Sequence, residues 1–206
     1  MTHANPFQTL ADRLRHASPT ALALSARACL HRAGAAFEAT GRPHEATPVF
    51  SPHTLTEISL ATPLPQLLAP VLAAQPLLRH YAADPETGDL PAADRSPAAL
   101  MLAMVTELTL LATPTAQHTP AHLHDWAQAC SDITLTMCLH IDTKDTGHFP
   151  TPESDPGRVA SAELATQLSI LHLLSIGSQD AYHEAARLSQ AQRAEFAVAI
   201  AGLISG

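Results

Sequence analysis

Apolar residues fill the stretch from Ser96 to Ala112, SPAALMLAMVTELTLLA, on all sides of a helix rather than along one stripe. From Ala98 to Ala112 the only polar side chains are Thr106, Glu107 and Thr109. At about 100° per residue, apolar groups therefore point in nearly every direction, the pattern of a helix enclosed by neighbours. Ser96 supplies an N-cap oxygen, and Pro97 brings a preset φ and no N–H to leave unbonded. The segment falls short of the roughly 20 apolar residues that a membrane span needs. It reads as the central apolar helix (97–112) of an all-α fold, a compact bundle of about six to nine helices. No stretch has the sustained alternation of a strand, and no internal repeat occurs.

The pair of a capping residue followed by proline recurs as Ser18-Pro19, Ser51-Pro52, Thr119-Pro120 and Asp155-Pro156, each marking a helix start. The pattern then predicts helices over 6–16 and 19–39, the second with Leu22, Ala26, Cys29, Leu30, Ala33 and Phe37 on its stripe. A short helix follows at 52–61. Residues 63–83 are apolar but carry four prolines, which predicts two short or kinked helices rather than one rod. Leu123, Trp126, Ala127, Cys130, Ile133, Met137 and Ile141 give 120–142 a clear helical period. The segment 142–158 has turn residues and no period, and its length exceeds that of an ordinary connection. Residues 157–177 place Leu164, Ala165, Leu168, Leu171, His172 and Ser175 near one face. A short helix at about 179–187 precedes a last one capped by Ser189, with Phe196, Ile200 and Leu203 inward.

Length and composition refine this picture. A chain of 206 residues suits one helical domain spanning 1–206. Hydrophobic residues make up 46% and charged ones 15%, against about 25% in an ordinary protein, so polar surface is scarce. That scarcity predicts cover from another chain, either a homo-oligomer or a different protein subunit. The formal net charge of −8, with Lys144 as the only lysine, argues against a nucleic-acid footprint and disfavours a DNA-binding regulator. The composition resembles GC-rich bacterial coding. Cys29, Cys130 and Cys138 are odd in number, and the start of the chain lacks a signal-peptide core, so a cytoplasmic location with reduced thiols is expected. Cys130 and Cys138 lie about 12 Å apart on one helix, too far for a disulfide.

Candidate chemistry is sparse. There is no Gly-x-Gly and no Gly-x-Ser-x-Gly. His183-Glu184-Ala185-Ala186-Arg187 begins like a zinc motif, but Arg187 stands where the second histidine is required. Asp142-Thr143-Lys144-Asp145 puts a cation where a calcium loop needs oxygen. Among 13 histidines, His122 and His124 are about 200° apart around their helix and cannot share an ion, so no metal site is assigned. Glu107 is the sharper candidate: enclosed by apolar neighbours, its carboxyl would be desolvated and suited to acid or base work. Against this stands the simpler account that Glu107 leans toward a wetter edge marked by Thr106, Thr109 and Thr113, or pairs with an arginine from a neighbouring helix. His172, inside SILHLLSI, is expected to face inward, first as a core histidine bonded to an oxygen and alternatively as a matching proton carrier, with His140 as a third member and Asp132 as a fourth.

Two functional readings follow. The first is a non-catalytic helical partner or accessory subunit, of the kind that supports a bacterial small-molecule biosynthetic enzyme, with docking faces on 63–83 and 190–204 that Leu68→Glu or Ile200→Glu would disrupt. The alternative is an enzyme whose helical-bundle pocket uses Glu107 and His172 for acid/base or metal-assisted chemistry on a small-molecule ligand. No motif names a cofactor, and no segment calls for a membrane.

Overall fold

Sequence-local signals start the helices at the N-terminal end. Asn5 accepts from the Phe7 N–H at 2.9 Å and Pro6 opens α1 (Pro6–His16). Ser18 accepts from the Ala21 N–H and Pro19 opens α2 (Pro19–Ala33). A turn at Gly34 separates α2 from α3 (Ala35–Ala39), so the rod expected over 19–39 is broken where the chain has its weakest helix former. Then come α4 (Leu64–Ala82), α5 (Pro120–Thr146), α6 (Arg158–Ile176) and α7 (Gln179–Ser205). The computed structural model describes residues 5–39, 55, 58–82, 103, 119–146 and 156–205. The fold is all-α, and no strand occurs among the described residues.

Ala103 is helical and buried, as the expected central helix requires, but the rest of 96–112 lies outside the described residues. Among those described, α2 holds the enclosed position, with every residue from Ala21 to Ala33 buried. Hydrogen bonds fix its neighbours. Arg32 meets Glu163 on α6, Ser189 on α7 reaches the Ala28 carbonyl, and Arg193 on α7 donates to the His31 carbonyl. α6 runs antiparallel to α5, tied by Ser131 to Gln167 at one level and by Asp142 to Val159 and Ala160 at another. One cluster of buried side chains runs from Leu10 through α2, α4, α5 and α6 to Leu203.

Several expectations need correction. Residues 64–82 form one helix despite Pro70 and Pro76. Pro76 is exposed, and Leu72, whose carbonyl its ring leaves without a helical partner, lies on the same outward face. Of the helix expected over 52–61, Leu55, Leu60 and Ala61 are in turns. The last two helices are one, α7, and Ser189 is a buried residue of its interior rather than its cap. The face assigned to α6 is also shifted. Ala165, His172 and Ser175 are exposed, while Ala160, Glu163, Leu164, Gln167, Ile170, Leu171 and Leu174 point inward. Buried Glu163 and Gln167 explain the shift, because their partners are polar groups on other helices. Among the described residues α6 is also long and apolar enough to cross a membrane. Its inward face is instead packed in the bundle through those two polar side chains.

The start of α6 differs as well. Pro156 lies outside the helix, and Gly157 precedes it with φ 88°, a left-handed conformation open to glycine. The cap comes from α5. Asp142 accepts from the Val159 N–H at 3.0 Å and from the Ala160 N–H at 2.8 Å, placing a carboxylate on the positive end of α6.

Candidate functional site

Among the described residues, polar side chains gather in two places, one enclosed and one open. The enclosed group crosses four helices. Arg32 Nε donates to both Glu163 oxygens at 3.1 and 2.9 Å, and Nη2 donates to Oε1 at 2.7 Å. The same carboxylate accepts from Gln167 Nε2 at 2.8 Å, and the Gln167 amide oxygen accepts from the Ser131 hydroxyl. On the other side Arg32 Nη1 reaches Ser189 Oγ at 3.2 Å, which lies 3.1 Å from His31 Nδ1. Burial alone pulls the Arg32 pKa down, but the Glu163 carboxylate outweighs it and holds the guanidinium above its ordinary value. Such a group is bonded to its neighbours rather than presented to a ligand. Arg193, itself buried, donates to the exposed Glu38 at 2.7 Å.

The open place is a groove of about 480 Å³ between α1, the start of α2 and the end of α6, lined among others by Arg13, His16, Ser18 and His172. Arg13 donates to the Leu168 carbonyl at 2.9 Å, which fixes it at the rim. His16 Nδ1 lies 2.7 Å from the Asp12 carbonyl. A carbonyl only accepts, so Nδ1 carries the hydrogen, and in the neutral ring Nε2 is left as an acceptor. His172 is exposed here, and its own carbonyl accepts from the Ser175 hydroxyl at 2.6 Å. Two imidazoles and a guanidinium suit an anionic or polar group, and no carboxylate is among the groove's lining residues.

Of the residues singled out from the sequence, the described ones, His140, His172 and Asp132, do not meet. Glu107 lies outside the described residues. His172 faces the groove, not the core. His140 is half-buried near the far end of α5, where burial lowers its pKa. Because α5 and α6 are antiparallel, His172 sits level with the start of α5, and at 1.5 Å per residue His140 is about 20 Å further along the bundle. Asp132 is exposed and accepts from Gln128 Nε2 at 2.9 Å. Among the described residues no three His, Cys, Asp or Glu side chains come together to hold a metal ion.

No family model matches this chain, and neither does any curated protein or solved structure. The polar residues that organise the fold, Arg32, Glu163, Gln167, Ser189 and Asp142, were not read from the sequence as a group. The available signal was a charged or amide residue in the midst of apolar helix, as in RVASAELATQLSI. Which residue it pairs with depends on how the helices are packed.

Proposed function

We propose that the chain is a non-catalytic helical partner or accessory subunit of the bacterial cytoplasm, and that it docks through the outer face of α7. The observation that carries this reading is Val198, 74% exposed in the middle of that face. Ala191, Ala194, Ala201 and Gly202 are exposed with it at helical spacing, over about 15 Å of helix. A Cβ added at Gly202 would meet nothing within 4 Å, so the face is open there. Glu195 is charged but stands at its edge. Small side chains let a second helix approach closely, and an apolar centre is what a stable interface presents. This corrects the probes suggested by the sequence. Leu68 and Ile200 are wholly buried in the chain's own core and belong to no outer face.

Sedimentation velocity on the wild type and on Val198→Glu tests the reading, together with the intact mass of the complex recovered from the native host. The expected result is a dimer or a stoichiometric complex that Val198→Glu dissociates without loss of helical circular dichroism. A wild type that stays monomeric and recovers no stoichiometric partner would overturn it. The alternative, an enzyme using Glu107 and His172, draws support from the groove beside His172; a metabolite turned over by the wild type and not by His172→Gln would favour it.

A further inference from the structure

The chain leaves α1 through Arg13-Leu14-Arg15-His16 and enters α2 through Ser18-Pro19. Leu14 is buried in the core, while Arg13 and His16, three residues apart, are neighbours on the exposed side of the same helix. Both line the groove of about 480 Å³, together with Ser18 from the start of α2 and His172 from the end of α6. Few of their hydrogens are committed. Arg13 gives one Nη1 hydrogen to the Leu168 carbonyl and, among the described residues, forms no ion pair, so the rest of its fork is left to donate. Ser18 Oγ accepts from the Ala21 N–H and keeps its own hydrogen to give. The His172 ring makes no hydrogen bond among the described residues. His16 Nε2 accepts a hydrogen when the ring is neutral and donates one when it is protonated. The one carboxylate on α1, Asp12, is paired with Arg15 at 2.7 Å.

We propose that this groove binds a small phosphomonoester, its phosphoryl group held by Arg13, His16, Ser18 and His172 and its apolar body laid on Leu171 and Leu174. Three features define that class. A carboxylate presents two oxygens in one plane, which a single guanidinium fork satisfies, whereas the donors here come from three elements and suit the three oxygens of a phosphoryl group. That group carries a charge of about −1.5 to −2, which one guanidinium and two imidazoles able to take protons can match. The groove is also larger than an inorganic anion fills, and it falls within the range of about 300–1,000 Å³ of small-molecule sites, with Leu171 and Leu174 in its apolar wall. A formal net charge of −8 gives the chain no general attraction for anions, so the affinity rests on these groups.

The groove draws no residue from α7, so its test needs no partner and its outcome is separate from that of the docking face. Phenyl phosphate is the probe, followed by ³¹P NMR line broadening and by calorimetry. The wild type is expected to bind it saturably, with glycerol phosphate competing and acetate at equal ionic strength not competing. Arg13→Gln and His172→Gln are each expected to keep their helical circular dichroism and to bind the probe at least about tenfold more weakly. Arg187→Gln, on α7, is expected to bind as the wild type does. His172 is exposed and has no side-chain partner to lose, so His172→Gln decides if Arg13→Gln does not fold. Absence of saturable binding would overturn the site, as would acetate competing as strongly as glycerol phosphate. Binding that either folded variant leaves intact would overturn it too, because the phosphoryl group would then not span α1 and α6, and Arg13 and His16 would serve only the C-terminal end of α1.

Discussion

Glu163 is one carboxylate serving donors from two side chains, in a place closed off from the surface. Taking its charge away should therefore cost more than a hydrogen bond. Glu163→Gln leaves Arg32 buried and unpaired, and the expected loss is about 3–5 kcal/mol in chemical denaturation. Arg32→Met combined with Glu163→Leu should lose less than Glu163→Gln, since no lone charge remains. A double variant weaker than Glu163→Gln would show that the pair itself stabilises the fold. The thiols are governed by burial too. Cys29 is pushed up to about 11 and Cys130 and Cys138 well above the ordinary thiol value, all by desolvation first. At pH 8 the native protein should leave a thiol reagent unconsumed, and denatured protein should consume three equivalents, one for each free cysteine. His140 gives a pH dependence. Its folded pKa lies below the unfolded value of about 6.5, so the unfolded chain takes the proton first. Stability should be full above that pH and fall as pH drops through it, and His140→Gln should flatten the midpoint of urea unfolding between pH 7 and 5.

At the scale of elements, α6 depends on α5 for its start. Asp142→Asn should cost about 1 kcal/mol by weakening the bonds to Val159 and Ala160. Gly157→Ala should cost more, because its Cβ would sit 2.5–2.7 Å from Asp142 side-chain atoms and its φ of 88° is strained for alanine. Urea unfolding of both variants checks the order. This junction also marks where the sequence stops being legible. Starts signalled by adjacent residues are readable: Ser18-Pro19 and Thr119-Pro120 open α2 and α5 as written, with Thr119 accepting from the His122 N–H. The stripe of α5, from Leu123 to Ile141, is buried as its period predicts. Asp155-Pro156 misleads because the cap that matters belongs to another helix. The α6 face misleads because hydrophobicity cannot score Glu163 and Gln167 as inward. His172 was drawn inward by its apolar neighbours in sequence, whereas rotation of α6 to seat Glu163 on Arg32 turns it out to the groove.

For the molecule as a whole, the buried and open apolar positions predict opposite failures. Leu68→Glu and Ile200→Glu place a charge where exposure is 0%, and each should abolish cooperative unfolding in circular dichroism instead of separating subunits. Val198→Glu should leave that transition in place. A Val198→Glu protein that unfolds as readily as Ile200→Glu would mean that α7 has no free face. The enclosure of α2 has a further consequence, for the order in which the chain is made. Arg32 leaves the ribosome 131 residues before Glu163, and at about 5–20 residues per second that is a wait of roughly 7–26 s. Throughout that interval α2, which is buried on every side in the finished fold, has neither α6 nor α7 to cover it. Synthesis of this protein thus sets a clock on aggregation, with the faces of α2 that meet α6 and α7 left uncovered until those last two helices arrive.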